Sequence, residues 1–262
     1  MTRDKLLLDV GGTFIKCSDG RTLPIDSDGS SEEIVRALRM AVGGEDGENT
    51  PASVRVAIPG PFDYAAGTFL MRHKFAAVYG ENFADLVQMP RENFRYVHDV
   101  VAMLLGNVTP ESGNTALLTL GTGLGFALFV DGKVLQNPLG SPSVPIYNRP
   151  YRDGILEDYV SKRGIVGRYG KPALSVKEIA SRAKSGDAHA QQVFAETGTI
   201  LGKAVSPVLS EFGIKHVLLG GQISRSWELF APSLSAHLAP ETSVQPVADF
   251  DNATFNGLKA LP

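Results

Sequence analysis

Apolar residues fall in short runs set off by Gly, Asp and Pro, and their spacing predicts alternating strands and helices. Residues 5–10 form an apolar run of strand character that resumes over 14–18, after which Asp19-Gly20 marks a turn. Ser30-Ser31-Glu32-Glu33 reads as a capping box that opens a helix carrying Ile34, Val35, Leu38 and Val42. The polar, Gly-rich stretch 43–51 predicts a loop, and 54–58 a buried strand that stops at Pro59-Gly60-Pro61. A strand over 94–97 leads into a helix over 100–105. The runs 115–120 and 125–130 pair as a hairpin, followed by a tight turn at Asp131-Gly132. Residues 136–151, rich in Pro and Gly, are the least regular stretch. Ser175 to Glu178 caps another helix. Val193, Phe194, Ile200, Leu201, Val205 and Leu209 recur at helical spacing, with Pro207 expected to kink or split that helix. A strand over 217–219 ends at Gly220-Gly221, and a short helix over 256–260 closes the chain. This alternation predicts a layered α/β architecture, without a solenoid repeat or a low-complexity tract.

At 262 residues the chain is long enough for one large core or two smaller ones. Its 43% hydrophobic and 20% charged residues are those of a soluble globular protein. A net charge of -3 argues against a nucleic-acid partner held through phosphates, and no apolar run is of membrane-spanning length. The polar start, Met1 to Lys5, carries no pattern of a signal peptide. Cys17 is the one cysteine, which excludes an intrachain disulfide and any thiolate-rich zinc site; a reducing cytoplasm is the expected compartment.

Two glycine-rich turns carry candidate chemistry. One reads Asp9-Val10-Gly11-Gly12-Thr13-Phe14-Ile15-Lys16, the other Leu120-Gly121-Thr122-Gly123-Leu124-Gly125. A turn that grips phosphate must bring backbone amides close to oxygen, and a Cβ would block the approach; a threonine adds a hydroxyl donor. Each turn alone is equally a plain hairpin connector. Facing one another, two such turns would clamp a polyphosphate. Asp9 precedes the first, where a carboxylate can hold Mg²⁺ through water. The P-loop pattern is absent, and a dinucleotide fold fails because these glycines lead into strands. Asp99 follows a strand and precedes a helix, so it is a helix cap, a general base at a strand end, or both.

Asp-x-Gly-Gly-Thr-x-x-Lys followed by Gly-Thr-Gly-x-Gly resembles the sugar kinase, Hsp70 and actin superfamily, and within it the chain is similar to the ROK family of bacterial hexokinases. Further matches keep the family's order. Pro59-Gly60-Pro61-Phe62-Asp63 resembles its Pro-Gly-Pro-x-Asp segment, and His98-Asp99-Val100-Val101-Ala102 its Asn-Asp-x-x-x-Ala segment. Leu218-Leu219-Gly220-Gly221 resembles its adenosine-side turn, and 251–260 its terminal helix. The resemblance implies an actin-like, ribonuclease H-like α/β fold of two domains around a central cleft. Residues 1–107 with about 249–262 would form one domain and 108–248 the other. It implies an ATP- and Mg²⁺-dependent kinase that phosphorylates a hexose or amino sugar, with Asp99 as general base. Asp9, Gly11, Gly12, Thr13, Lys16, Gly121, Thr122, Gly123, Gly220 and Gly221 would serve the nucleotide, with Asp9 on magnesium. Gly60, His73, Lys74, His98, Asp99 and Glu157 would face the sugar. A homodimer is implied on the same ground.

The sugar side departs from the family. Its Glu-x-Gly-His is replaced by Pro138-Leu139-Gly140-Ser141, and its cysteine motif by residues 148–157, where Asn148, Pro150 and Ile155 stand in cysteine positions. No zinc is therefore expected. Glu157 resembles the last sugar-contacting carboxylate, or is a solvated helix residue. His98 replaces an asparagine, and His73-Lys74-Phe75 stands where Asn-Leu is usual. A mismatched buried polar partner costs about 1–3 kcal/mol, so glucose specificity does not carry over. Two other readings remain: a sugar-responsive regulator without catalysis, and an ATPase acting on a non-sugar substrate.

Overall fold

The computed structural model describes residues 5–43 and 51–261. Most of the loop expected over 43–51, and the first four residues, lie outside the described residues. Contacts divide the chain into two units. The first takes the chain up to Asn107, Gln136–Pro142 and the chain from Asn252; the second takes Val108–Leu135 and Ser143–Asp251.

The first unit is built on a five-stranded sheet. β1 (Lys5–Val10) pairs antiparallel with β2 (Phe14–Cys17), which pairs with β3 (Thr22–Pro24). Helix α1 (Ser31–Gly43) follows, with the expected capping box: Ser30 N–H donates to Glu33 at 2.9 Å, and Glu33 N–H reaches back to Ser30 Oγ at 3.3 Å. Its Ile34, Ala37, Leu38, Ala41 and Val42 are buried, the i, i+3, i+4, i+7 stripe of an amphipathic helix. β4 (Ser53–Ile58) runs parallel to β1, and β7 (Phe94–His98) parallel to β4. Between them lie the hairpin β5 (Phe62–Asp63) and β6 (Thr68–Phe69) and the short helix α2 (Phe83–Leu86). Four fully buried rings pack under this connection: Phe69 meets Phe62 edge-on, Phe75 at a tilt and Phe83 stacked. β1 is central, so Leu6, Leu7 and Leu8 are all buried and the strand reads as a run with no alternation.

Helix α3 (Asp99–Leu105) leaves β7 and packs on the C-terminal helix, Ala253–Ala260. The crossing is too close for side chains. A Cβ on Gly257 would overlap the Ala102 carbonyl, and one on Gly106 the Ala253 carbonyl. Buried Arg55 in β4 caps this last helix, donating to the carbonyls of Leu258 at 2.8 Å and Lys259 at 3.0 Å.

The second unit repeats the sheet plan. β8 (Thr115–Leu120) pairs antiparallel with β9 (Leu124–Val130), and β9 with β10 (Lys133–Val134). A small hairpin, β11 (Pro150–Tyr151) and β12 (Gly154–Ile155), leads to α4 (Leu156–Val160), α5 (Lys162–Tyr169), α6 (Val176–Lys184) and α7 (Ala188–Glu211). β13 (His216–Gly220) runs parallel to β8. Past α8 (Ala231–Ser235) comes β14 (Ser243–Pro246), parallel to β13. The strand orders β3-β2-β1-β4-β7 and β10-β9-β8-β13-β14 are one topology used twice. Each glycine-rich turn joins the same two strands of its own sheet. This duplication leaves no repeat in the sequence, because a shared strand order constrains only where apolar runs fall.

Of the kink or split expected at Pro207, the split does not occur: α7 runs through it to Glu211. The N–H that Pro207 lacks would have met the Lys203 carbonyl, and both residues lie on the exposed side of the helix. Buried Gly198 and Gly202 let α7 touch the backbone of α8. No helix among the described residues is long and apolar enough to cross a membrane.

Candidate active site

In the first unit the parallel strands β1, β4 and β7 end side by side, the edge where open α/β sheets bind ligands. Asp9 sits near the end of β1, Gly60 just past β4, and His98 and Asp99 at the end of β7. The register aligns Asp9 with Ala57 and Ile58 with His98. Asp9 also faces Lys16 across the β1–β2 pair. The turn between those strands is closed by Gly11 N–H donating to the Phe14 carbonyl at 2.9 Å, while Ser27 N–H donates to the Gly12 carbonyl at 3.0 Å. A Cβ on Gly12 would stand 3.1 Å from Ser27 Oγ, so a side chain here would press on a buried neighbour. Thr13 is exposed at the tip.

Asp99 is the first helical residue of α3, and His98, not Asp99, is the N-cap. Its Oδ1 lies 2.7 Å from His98 Nδ1 and accepts the Val100 N–H at 2.8 Å. His98 Nδ1 also accepts the Val100 N–H at 3.2 Å as the N-cap bond, so the Val100 amide is shared between the imidazole and the carboxylate; only a protonated Nδ1 donates to Asp99. Oδ2 has no hydrogen-bond partner among the described residues, and the side chain is 38% exposed. Burial works to raise the Asp99 pKa, but the charge and hydrogen bond of His98, the Val100 amide and the Lys74 charge outweigh it and hold the carboxyl below its ordinary value. Asp9 behaves oppositely. Desolvation, with the Asp99 charge behind it, pushes its pKa up to about 6 against the pull of Lys16. The two carboxyls are thus shifted in opposite directions, Asp9 up and Asp99 down.

Beside Asp99 stands a polar wall. A Cβ on Gly60 would meet Ser141 Oγ at 3.3 Å, the Tyr64 hydroxyl at 3.3 Å and the His98 ring at 3.4 Å, so these four residues converge. Tyr64 donates to the Ile58 carbonyl at 2.9 Å. Ser141 gets there because Gln136–Pro142 returns to the first unit, with Tyr64 N–H donating to Leu139 at 3.0 Å. Lys74 is half-buried near Gly12, and His73 is exposed. Tyr64 was not singled out from the sequence. Only its position three residues past Pro61 and the Phe-rich run around it hinted that a ring would be held there.

The second unit brings its own candidates together. Gly121 N–H donates to the Gly123 carbonyl at 3.0 Å, and Lys162 N–H at the start of α5 donates to the Gly121 carbonyl at 2.9 Å. Gly221, at φ 81°, lies against the Leu120 backbone, so the Gly220-Gly221 turn abuts the Gly121–Gly123 turn. Thr122 is exposed between them. Glu157 in α4 holds this corner. Its Oε2 accepts the Leu124 N–H at 2.8 Å, and its Oε1 pairs with Arg163 at 3.0 Å. A Cβ on Gly123 would stand 2.7 Å from Oε2. Both carboxylate oxygens are thus engaged inside this unit.

Around the β11–β12 hairpin, Tyr151 and Tyr159 pack edge to face at 4.9 Å, Arg152 lies over both rings at 5.5 Å, and the Tyr159 hydroxyl donates to Asp153. Among the described residues no group of three His, Cys, Asp or Glu is placed to hold a metal ion.

The model of the ROK family matches residues 150–255. No curated protein matches the sequence. Solved structures match the fold nearly end to end. A ROK family glucokinase from Streptomyces griseus, in complex with glucose and AMPPNP, is 21% identical at TM-score 0.74, covering 97% of each chain. The ROK hexokinase from Thermus thermophilus is 18% identical at TM-score 0.65, covering 97% of this chain and 95% of that one. A ROK family transcriptional regulator, homologous to the E. coli MLC protein, is 20% identical at TM-score 0.73, covering 97% of this chain and 77% of that one. The likeness to the ROK family is therefore carried by sequence over residues 150–255 and by fold over nearly the whole chain.

Proposed function

We propose that the chain is an ATP-dependent sugar kinase with Asp99 as general base. The observation that carries this reading is the state of Asp99. One carboxylate oxygen is fixed by His98 and Val100, the other is open, and the charges of His98 and Lys74 hold the group below its ordinary pKa. Oδ2 takes the proton of the sugar hydroxyl as its oxygen bonds to the γ-phosphorus. The bond from that phosphorus to the bridging oxygen breaks, and its electron pair leaves on ADP. Gly11, Gly12, Thr13 and Lys16 serve the phosphates, and Gly121, Thr122, Gly123, Gly220 and Gly221 are assigned to the nucleotide. Gly60, His98, Tyr64 and Ser141 form the wall that reads the sugar. Glu157, with both oxygens spent on Leu124 and Arg163, positions the Gly121–Gly123 turn.

The donor set fits a hard divalent cation. The Asp9 carboxylate has no hydrogen bond among the described residues, and the neighbouring Asp99 charge disfavours leaving it bare. Asp9 would hold Mg²⁺, directly or through water, and the ion would neutralise phosphate charge.

Coupled ADP release across a panel of hexoses and amino sugars tests the assignment. Sugar-dependent turnover is expected. The regulator in the same fold keeps a second reading in view: sugar binding without turnover would establish a sensor. Sugar-independent ATP hydrolysis would overturn both.

A further inference from the structure

Lys74 carries a half-buried ammonium with no hydrogen-bond or ion-pair partner among the described residues. Its stem passes Gly12, with Cδ and Cε each 3.8 Å from where a Cβ on that glycine would be. Its charge reaches Asp99. The side chain thus runs along the phosphate turn, with three donors unspent.

Its placement is built in. Phe75, the next residue, adopts the left-handed region at φ 51°, ψ 26°, uncommon for a bulky side chain. Its ring is fully buried against Phe69 at 5.5 Å, and its N–H donates to the Ser27 carbonyl at 2.6 Å. Ser27 in turn donates its own N–H to Gly12. One relay, Gly12 to Ser27 to Phe75, ties Lys74 to the turn, and the buried ring holds the backbone in its unusual state.

We infer that Lys74 is a phosphoryl-binding residue: its ammonium contacts the terminal phosphate of the nucleotide as that group passes from the Gly11–Gly12–Thr13 turn toward Asp99. The sequence comparison had set Lys74 on the sugar; the unpaired charge beside Gly12 assigns it to the anion in transit. The inference rests on the kinase reading, and the test separates the two. Titration calorimetry would compare MgAMPPNP, which has a terminal phosphate, with MgADP, which does not, for the parent, Lys74→Met and Lys74→Arg. In Lys74→Met the MgAMPPNP affinity is expected to fall about tenfold or more, the scale of one charged hydrogen bond, with MgADP within about twofold of the parent. Lys74→Arg should recover most of the difference. If Lys74→Met leaves the ratio of the two affinities unchanged, or weakens both ligands equally, this inference falls and the kinase reading stands. If the parent binds neither nucleotide, the kinase reading falls and takes this inference with it.

Discussion

His98 Nδ1 and Asp99 Oδ1 stand 2.7 Å apart, consecutive residues whose side chains face each other across the start of one helix. The contact orients the carboxylate and keeps it ionised. Replacing His98 by Phe removes a donor and leaves Val100 N–H and Lys74 as the remaining pull, so the Asp99 pKa rises. The acid limb of the pH–rate profile should move to higher pH while the plateau changes less. A profile that does not move would show that His98 does not tune the base.

Asp99→Asn keeps the Val100 and His98 geometry but cannot accept a proton. Turnover should drop by a factor of about 10²–10⁴, the usual worth of a positioned base, with MgAMPPNP binding near that of the parent. Rapid-quench measurement of a single turnover checks this directly. A rate within tenfold of the parent would remove Asp99 from its role.

Asp9, with its pKa raised to about 6, makes the opposite contribution to folding. A carboxyl easier to deprotonate when unfolded than when folded stabilises the native state at low pH. That contribution is complete below the unfolded value of 3.8 and is lost as pH climbs through about 6. Asp9→Asn should therefore raise the apoprotein's stability at pH 7, by about 1–2 kcal/mol once solvent screening is allowed for, and flatten its dependence between those limits. Urea midpoints at pH 4 and pH 7 compare the two proteins. The same substitution should weaken Mg²⁺-dependent nucleotide binding.

Gly257→Ala places a methyl into the Ala102 carbonyl. The two helices must part, and overpacking of this kind costs about 1–3 kcal/mol. Because α3 begins with Asp99, kcat should fall along with Tm, whereas Gly167→Ala, inside α5 with open space around it, should leave kcat unchanged and raise Tm slightly. Equal Tm for both variants would show that the crossing tolerates the methyl.

Glu157→Ala frees the Leu124 N–H and releases Arg163. Nucleotide affinity should weaken several-fold with the KM for sugar little altered. The reverse pattern would return Glu157 to the sugar.

Local signals made the frame legible. Ser30 and Glu33, and Ser175 and Glu178, close reciprocal caps where the spacing placed them, since a capping box depends on four consecutive residues alone. The ends of β1, β4 and β7 were marked by Gly11, Pro59 and the polar pair His98-Asp99. What escaped the sequence depends on contacts distant along the chain. Ser141 reaches Gly60 only because a Pro- and Gly-rich stretch folds back, and no periodicity encodes that return. Glu157 reads from its neighbours as a sugar-contacting carboxylate or a solvated helix residue, and neither reading encodes its bond to the Leu124 N–H, 33 positions away. Pro207 does not split α7 because the flanking Val205, Val208 and Leu209 are buried in the core, contacts that the local rule for proline does not see.

Connectivity sets a limit on dissecting this protein. The chain changes unit at 107/108, 135/136, 142/143 and 251/252, so neither half is one continuous stretch of gene. A fragment ending at Asn107 would lack the partner of Ala102 and Gly106, the acceptors of Arg55, and the serine that faces Gly60. Expressed separately, that piece should be insoluble or unfolded. A permuted gene that starts at Asn252, runs through a short linker into the strand at Lys5, stops at Asn107 and adds Gln136–Pro142 through a second linker would supply every part the first half needs.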